Sequence, residues 1–131
     1  MVNKREIGTA YEKRAGAYLE QHGYKVIEYN FRSRQGEIDL IAKDGEYLVF
    51  VEVKYRADSH AGNPFEAVNR SKQRTISKVA SYYCLTHGYG MDTPCRFDVV
   101  AVLGEKIELI QNAFEYQMYY RYANEWIIVL P

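Results

Sequence analysis

Two acidic residues and one lysine lie within strongly apolar segments. Asp39 falls in the run Gly36–Ile41, and Glu52 and Lys54 fall in the run that begins at Leu48. Carboxylates in buried strands repel one another and lose hydration, and a divalent cation removes both costs. Hard oxygen ligands suit Mg²⁺ or Mn²⁺, and a nearby lysine can orient a water or neutralise a phosphoryl group. We therefore predict a carboxylate–lysine metal site, with Asp39 and Glu52 as ligands.

Two other interpretations use the same residues. A Glu-x-Lys pair on a strand is commonly a solvated ion pair that contributes little to stability. A pair of carboxylates could also serve a glycosidase, but an adjacent lysine and an all-carboxylate ligand set are more typical of phosphate chemistry. Asp39 on the preceding strand favours the metal site over the solvated pair.

Two strands joined by a hairpin must position these groups. We predict strands over 37–42 and 47–55, and the Asp44-Gly45 pair between them is a strong hairpin signal. Side chains alternate between the two faces of a strand. Parity therefore predicts that one face of the sheet carries Glu37, Asp39, Glu52 and Lys54.

The register of this hairpin stays open between two turns. A turn at Asp44-Gly45 pairs Asp39 with Phe50, whereas a turn at positions 45–46 pairs Asp39 with Glu52 directly. Both registers keep the acidic groups on one face. Only an odd slip or a bulge would separate Asp39 from Glu52.

The other elements predict an α/β fold in which helices flank a mixed sheet. Apolar residues at helical spacing, each run followed by glycine, predict helices over 4–22 and 71–87. We expect further strands over 24–31, 97–103 and 106–110, and a short helical turn over 65–68. The order α-β-β-β-α-β-β fits one domain over 1–131 with its core at about 4–114. The segment 115–131 is an apolar, tyrosine-rich extension, which we expect to pack on the domain or on a second subunit.

Glu12 is a supporting candidate on the first helix. It lies four residues after Gly8, so both are on one helix face. Gly8 would let this helix approach another backbone closely. The plain alternative is an exposed glutamate that pairs with a nearby lysine or arginine.

Basic residues near the acidic strands could bind phosphates. The candidates are Arg32, Arg34, Arg56, Lys72 and Arg74. The alternative for those on the second helix is a solvated face. Net charge is zero, with 17 basic and 17 acidic residues, which argues against a non-specific DNA coat protein. A local basic patch is nevertheless sufficient to contact nucleic acid.

The bulk composition is that of a globular domain. The sequence contains no run of about 18 apolar residues, so it predicts no transmembrane helix. No apolar signal core follows the first residues. We therefore expect no membrane association and a cytoplasmic location. Cys84 and Cys95 are the only cysteines, and their spacing matches neither a disulfide framework nor a zinc motif.

Several long motifs, in order along about residues 5–114, closely resemble the bacterial YraN family. They include Gly36-Glu37-Ile38-Asp39-Leu40-Ile41, Leu48-Val49-Phe50-Val51-Glu52-Val53-Lys54, Lys72-Gln73 and Arg96-Phe97-Asp98. That family resembles the PD-(D/E)xK restriction-endonuclease superfamily and is similar to archaeal Holliday-junction resolvases. The resemblance implies a restriction-endonuclease-like mixed sheet and a nuclease dependent on Mg²⁺ or Mn²⁺. It implies metal ligands at Asp39 and Glu52, a catalytic Lys54, a helix carboxylate at Glu12, and Gln73 as a helper on the second helix.

Two positions depart from related patterns. Ser77 stands where a Gln-x-x-x-Tyr element would have its tyrosine, and Tyr55 stands where the YraN pattern often has threonine. The leading expectation is an endonuclease that hydrolyses DNA phosphodiester bonds, on branched or damaged DNA. The rival is a non-catalytic module on the same fold that binds nucleic acid or protein. RNA as substrate and a homodimer are further expectations.

Overall fold

The computed structural model of the protein describes residues 3–56, 68–116, 118–122 and 125–129. The helices and strands along the chain are α1 (Lys4–Gln21), β1 (Lys25–Ser33), β2 (Gly36–Asp44), β3 (Tyr47–Arg56), α2 (Arg70–Thr86), β4 (Cys95–Leu103), β5 (Lys106–Phe114), β6 (Met118–Tyr122) and β7 (Glu125–Val129). The predicted order of the first seven elements is confirmed. Apart from Val68, the helical turn expected over 65–68 lies outside the described residues.

Five strands form one mixed sheet in the order β1-β2-β3-β4-β5. β3 and β4 are parallel, and the other neighbours are antiparallel. The parallel pair requires a crossover connection, and α2 lies in that connection. β6 and β7 form a separate two-stranded sheet. The backbone of β6 lies beside α2 of the same chain, which is the first of the two expected locations for the C-terminal extension.

The two helices cover opposite faces of the sheet. On one face, α2 packs Ile76, Val79 and Tyr83 against strand residues such as Phe50 and Phe97. On the other face, α1 packs Ala15 and Leu19 against strand residues that include Val49, Val51 and Val100. β3 and β4 therefore contribute side chains to both layers. This accounts for the continuous apolar runs in their sequences.

A buried polar network joins the strands at the hairpin end of β3. The Asp98 carboxylate is fully buried and accepts hydrogen bonds from the Tyr24 hydroxyl (2.6 Å), from Arg96 Nε (2.9 Å) and from the backbone N–H of Asn112 (2.9 Å). Arg96 also pairs with Asp44, with 2.7 Å between Nη2 and Oδ2. Burial, with the bond to Asp98, raises the pKa of Tyr24 to about 12. The network ties β2, β4 and β5 to the segment before β1.

Among the described residues, neither helix is long and apolar enough to cross a membrane.

Candidate functional site

The candidate site lies where β2 and β3 separate. Their pairing runs from Asp44–Tyr47 to Leu40–Val51, so the turn is at positions 45–46 and the second predicted register is the observed one. Continued by one step, this register places Asp39 opposite Glu52. β3 nevertheless remains paired with β4 as far as Arg56. Beyond Val51, β3 has therefore lost its partner on the β2 side, which opens a fork between the two strands.

The alternation of side chains between the two faces of the sheet is interrupted in β2 at Asp39. Ile38 packs in the layer beneath α2, whereas Leu40, two residues later, packs in the layer beneath α1. Strict alternation would put both on one face. The prediction that Glu37, Asp39, Glu52 and Lys54 share one face is therefore wrong for β2, because parity does not continue through Asp39.

β1 changes face at the position opposite Asp39. Asn30 has a left-handed backbone with φ of 54°, which asparagine adopts more readily than most residues. On either side of it, the Tyr29 ring lies against Gly16 of α1, while Phe31 packs edge-on against Tyr83 of α2. The two neighbouring strands thus twist together at Asn30 and Asp39. This twist turns the Asp39 carboxyl into the fork.

The Asp39 carboxyl lies at the level of the sheet. Its Oδ2 accepts the backbone N–H of Val53 at 2.8 Å. Burial raises the pKa of Asp39 to about 8, and the neighbouring carboxylate of Glu52 adds to this, as do those of Glu12 and Glu37. These surroundings therefore favour the protonated form of Asp39 over the ionised form. A site that concentrates acidic groups in this way has the electrostatics that a divalent cation relieves.

Two lysine side chains contact the same carboxylate oxygen of Glu52. Its Oε1 lies 3.2 Å from Lys54 Nζ and 2.6 Å from Lys72 Nζ, and the Glu52 side chain is only 10% exposed. Burial lowers the pKa of Lys54, and the adjacent Lys72 lowers it further. Burial also lowers the pKa of Lys72, but its contacts with Glu52 and Lys54 outweigh this, so the pKa of Lys72 is raised overall.

Glu12 reaches the site from α1. Its Oε2 accepts a hydrogen bond of 2.8 Å from Asn30 Nδ2. Burial raises the pKa of Glu12, and the Asn30 bond partly opposes this. Glu12 and Asp39 each change the pKa of the other, which puts the helix carboxylate beside the fork. The close approach predicted at Gly8 is wrong, because a Cβ there would meet no atom within 4 Å.

The Gln73 side chain hydrogen-bonds the backbone just before α2. Its Nε2 donates to the Val68 carbonyl at 3.0 Å. It also lines a pocket of about 290 Å³ with Arg70, Arg74, Ser77 and Glu115. In this structure Gln73 is therefore placed to stabilise the start of α2 and to line that pocket, one residue beyond the lysine that contacts Glu52.

The predicted phosphate-binding residues are spread around the site. Arg32 pairs with Glu37 (Nε to Oε2, 3.1 Å) on an exposed surface, and Arg56 Nη1 donates to the Tyr55 carbonyl at 2.8 Å. Arg34 and Arg74 are exposed. Of the five predicted residues, only Lys72 contacts a carboxylate of the proposed metal site in this structure.

The donor set fits a hydrated hard cation. Among residues 3–56 and 68–116, no three acidic, histidine or cysteine groups are arranged to hold one ion. Asp39 and Glu52 supply two carboxylates across the fork. Mg²⁺ commonly binds through one or two carboxylates and keeps several waters or takes phosphate oxygens. The site therefore fits Mg²⁺ or Mn²⁺ with a partly open coordination shell, and it does not fit an all-protein cage.

Sequence reasoning missed three contributions to the site. These are the Asn30 backbone turn, the Val53 amide that holds Asp39, and the contact of Lys72 with Glu52. An asparagine inside an otherwise alternating strand is a signal for a left-handed position. No local signal indicates the other two, because each joins residues that are distant in the sequence.

Comparison with known proteins gives the family of the chain. The family model described as "Uncharacterised protein family UPF0102" matches residues 11–102. The chain belongs to family UPF0102. The matched range includes the whole candidate site, from Glu12 to Lys72. A UPF0102 protein of Lachnoclostridium phytofermentans is 48% identical over 114 residues, which are 87% of this chain and 97% of the relative.

Two further relatives extend this similarity. A UPF0102 protein of Geobacter metallireducens is 46% identical over 118 residues, covering 87% of this chain and 96% of the relative. One of Chromohalobacter salexigens is 42% identical over 117 residues, covering 86% of this chain and 94% of the relative. The aligned part of this chain thus corresponds to nearly the full length of these proteins.

Proposed function

We propose that this UPF0102 protein is a Mg²⁺- or Mn²⁺-dependent endonuclease that hydrolyses DNA phosphodiester bonds in the cytoplasm. One observation carries the proposal. The half-buried carboxyl of Asp39 lies across an open strand fork from Glu52, whose carboxylate contacts Lys54 at 3.2 Å. An acidic group whose pKa is raised by burial and by neighbouring carboxylates, beside a lysine, is typical of a functional site and is costly for a purely structural strand.

Each residue of the site has a role in this proposal. Asp39 and Glu52 hold the cation, which when bound would lower the pKa of a bound water and stabilise charge on the phosphoryl group. Lys54 orients the attacking water or contacts a phosphate oxygen, and its lowered pKa brings it closer to proton exchange at neutral pH. Glu12 assists from α1, while the Asn30 amide fixes its orientation.

The family resemblance described from the motifs supports the same proposal. The YraN motifs and their likeness to PD-(D/E)xK nucleases imply metal ligands at Asp39 and Glu52 and a catalytic lysine at Lys54. Branched or damaged DNA is the proposed substrate, with RNA as a further substrate to be assayed. We also propose a homodimer, since two-fold cutters present two sites, and light scattering of the purified protein tests it.

Cleavage assays test the proposal. Purified protein is incubated with linear, nicked, flapped and four-way DNA and with single-stranded RNA, in Mg²⁺, in Mn²⁺ and in chelator. We expect cation-dependent cleavage of DNA that falls at least about 100-fold in Asp39→Asn and in Lys54→Met. Glu108→Gln is the matched control, because Glu108 pairs with Lys106 away from the fork. Cleavage that persists in Asp39→Asn contradicts the proposal.

A second candidate function is a non-catalytic module that binds nucleic acid or protein. The observation that favours it is the pair of lysines on Glu52, which neutralises this carboxylate without a metal. Calorimetric titration with Mn²⁺ separates the two candidates. Binding that disappears in Asp39→Asn supports the nuclease, whereas absence of binding in the wild type supports the non-catalytic module.

A further inference from the structure

Lys72 forms an ion pair with Glu52 through a side chain that is free to rotate away from it. The residue lies in the first turn of α2, and its backbone N–H donates to the capping Asn69 Oδ1 at 2.9 Å. Its backbone position is therefore fixed by the helix cap. The ammonium group lies 2.6 Å from Glu52 Oε1, and the side chain is 37% exposed. A long flexible side chain with a fixed backbone can change partner by rotation alone.

Lys54 and Lys72 differ in this freedom although they share an oxygen. Lys54 comes from β3 itself, next to Glu52 on the same strand face, and its side chain is 16% exposed. Lys72 comes from a different element and is more than twice as exposed. Of the two lysines, Lys72 is the one with room to turn toward solvent. Lys54 stays beside the carboxylate.

A divalent cation on Glu52 competes with this lysine. Both ammonium groups lie on Oε1, so an ion that uses this oxygen must displace one of them, and an ion on Oε2 comes to lie close to both. Two cations close to one oxygen also repel each other strongly when the site is shielded from water. A bound Mg²⁺ or Mn²⁺ therefore favours a conformation in which Lys72 has left Glu52.

We propose that Lys72 is a cation-dependent latch, which holds Glu52 in the metal-free protein and is released to a backbone phosphate of the nucleic acid when the metal site fills. The inference rests on the proposed nuclease function and adds an order of events, in which metal binding precedes the phosphate contact of Lys72. The protein keeps its acidic site neutralised while it is empty. Metal binding then exposes a basic group beside the fork, where a phosphate is to be held.

This latch couples the binding of metal to the binding of nucleic acid. Lys72 weakens metal binding in the absence of DNA, because it must first be displaced. With the metal bound, the same lysine strengthens DNA binding through one additional phosphate contact. The coupling is reciprocal by thermodynamic necessity, so DNA that takes up Lys72 raises the affinity for the cation.

Mn²⁺ calorimetry on the full-length protein without DNA tests the first half of the latch. We expect Lys72→Met to bind Mn²⁺ about tenfold more tightly than the wild type, within the usual range of coupling between sites. Arg74→Met is the matched control, because it removes a positive charge from the same helix without a contact to Glu52. We expect its Mn²⁺ affinity to stay within about twofold of the wild type.

Fluorescence anisotropy with a labelled four-way DNA, in Ca²⁺ to prevent cleavage, tests the second half. Without a cation, wild type and Lys72→Met should bind this DNA alike. With the cation, the wild type should gain affinity, and its salt slope should exceed that of Lys72→Met by about one phosphate contact. In the wild type alone, ammonium NMR should show the Lys72 protons protected from exchange without Mg²⁺ and exposed with it.

The outcomes distinguish failure of the latch from failure of the nuclease proposal. Mn²⁺ binding of equal strength in wild type and Lys72→Met overturns the latch and leaves the metal site standing. Equal tightening in Lys72→Met and Arg74→Met also overturns it, because general charge then accounts for the effect. If neither protein binds Mn²⁺, the metal site and the latch fall together. Should Lys72→Met not fold, unchanged Lys72 ammonium signals on addition of Mg²⁺ overturn the latch.

Discussion

At the scale of single residues, the surroundings of Asp39 favour its protonated carboxyl far more than water does. Burial and the nearby Glu52 raise its pKa to about 8, from 3.8 in an unfolded chain. The Val53 amide bonds the carboxyl but does not compensate for its surroundings. Keeping such a group in the fork costs stability wherever the unfolded chain would ionise it. A functional role for the carboxylate accounts for this cost.

The pH dependence of stability follows from this shift. Between about pH 4 and 8, folded Asp39 holds its proton more tightly than the unfolded chain does, so the contribution of Asp39 to stability falls as pH rises through this interval. Asp39→Asn removes this loss. We expect the variant to be more stable than the wild type at pH 8 by at least about 1 kcal/mol, with a smaller gain at pH 5. Thermal unfolding from pH 5 to 9 measures both.

Glu108→Gln is the control for this experiment, because Glu108 lies on β5 and pairs with Lys106 at the surface. Its melting temperature should follow that of the wild type at every pH. A melting curve of Asp39→Asn that keeps the pH dependence of the wild type would contradict the assignment. Mn²⁺ should raise the melting temperature of the wild type most at alkaline pH, because binding requires the ionised carboxylate.

At the scale of elements, α1 and the twist in β1 and β2 bring Glu12 and Asp39 together. The close approach of α1 to the sheet occurs at Gly16, where a Cβ would overlap the ring of Tyr29. Tyr11 of α1 also stacks on Tyr55 of β3, with ring centroids 4.2 Å apart. These contacts fix the helix next to Glu12, at Tyr11, and one turn beyond it, at Gly16. The orientation of the helix carboxylate therefore depends on packing by its neighbours.

The two glycines of α1 should respond oppositely to alanine. Gly8 lies within the helix with no atom near its missing Cβ, so Gly8→Ala should stabilise the protein by about 0.5–1 kcal/mol through helix propensity alone. Gly16→Ala should destabilise it by about 1 kcal/mol, because the Tyr29 ring must move. Urea unfolding of both variants measures the difference. A destabilising Gly8→Ala would show that this glycine meets a neighbour after all.

At the scale of the whole molecule, the two ends of β3 have different tasks. Near Tyr47, the Asp98 network ties the strands together, and within the described residues no buried side-chain polar atom lacks a partner. Near Lys54, the strands separate, and burial raises the pKa of Asp39 and lowers that of Lys54. The fold is thus held at one end of the sheet, which lets the other end keep a costly cluster.

Loss of the buried network should be far more damaging than loss of a surface ion pair. Asp98→Ala leaves Arg96 without its buried carboxylate and Tyr24 without an acceptor, and should cost about 3–5 kcal/mol. Glu108→Ala removes an exposed pair with Lys106 and should change stability by no more than about 0.5 kcal/mol. Chemical denaturation compares them. Similar losses in both variants would show that the network contributes little.

Local rules were sufficient for the elements and for one half of the site. The apolar stripe of α2, which includes Ile76 and Val79, and the hairpin near Gly45 were predictable because periodicity and turn chemistry act over a few residues. Glu52 and Lys54 share a face for the same reason. The polar residues of the site were recognisable from their types within apolar strands.

The tertiary structure alone decided how the other half of the site is assembled. Both hairpin registers satisfied the local pattern, and only the packing of the sheet selected the one that sets Asp39 opposite Glu52. The twist at Asn30 and the contact of Lys72 with Glu52 also join residues far apart in the chain. Side-chain parity along a strand is a local property that sequence determines. Distances between elements depend on how α1 and α2 pack against the two faces, which no local pattern encodes.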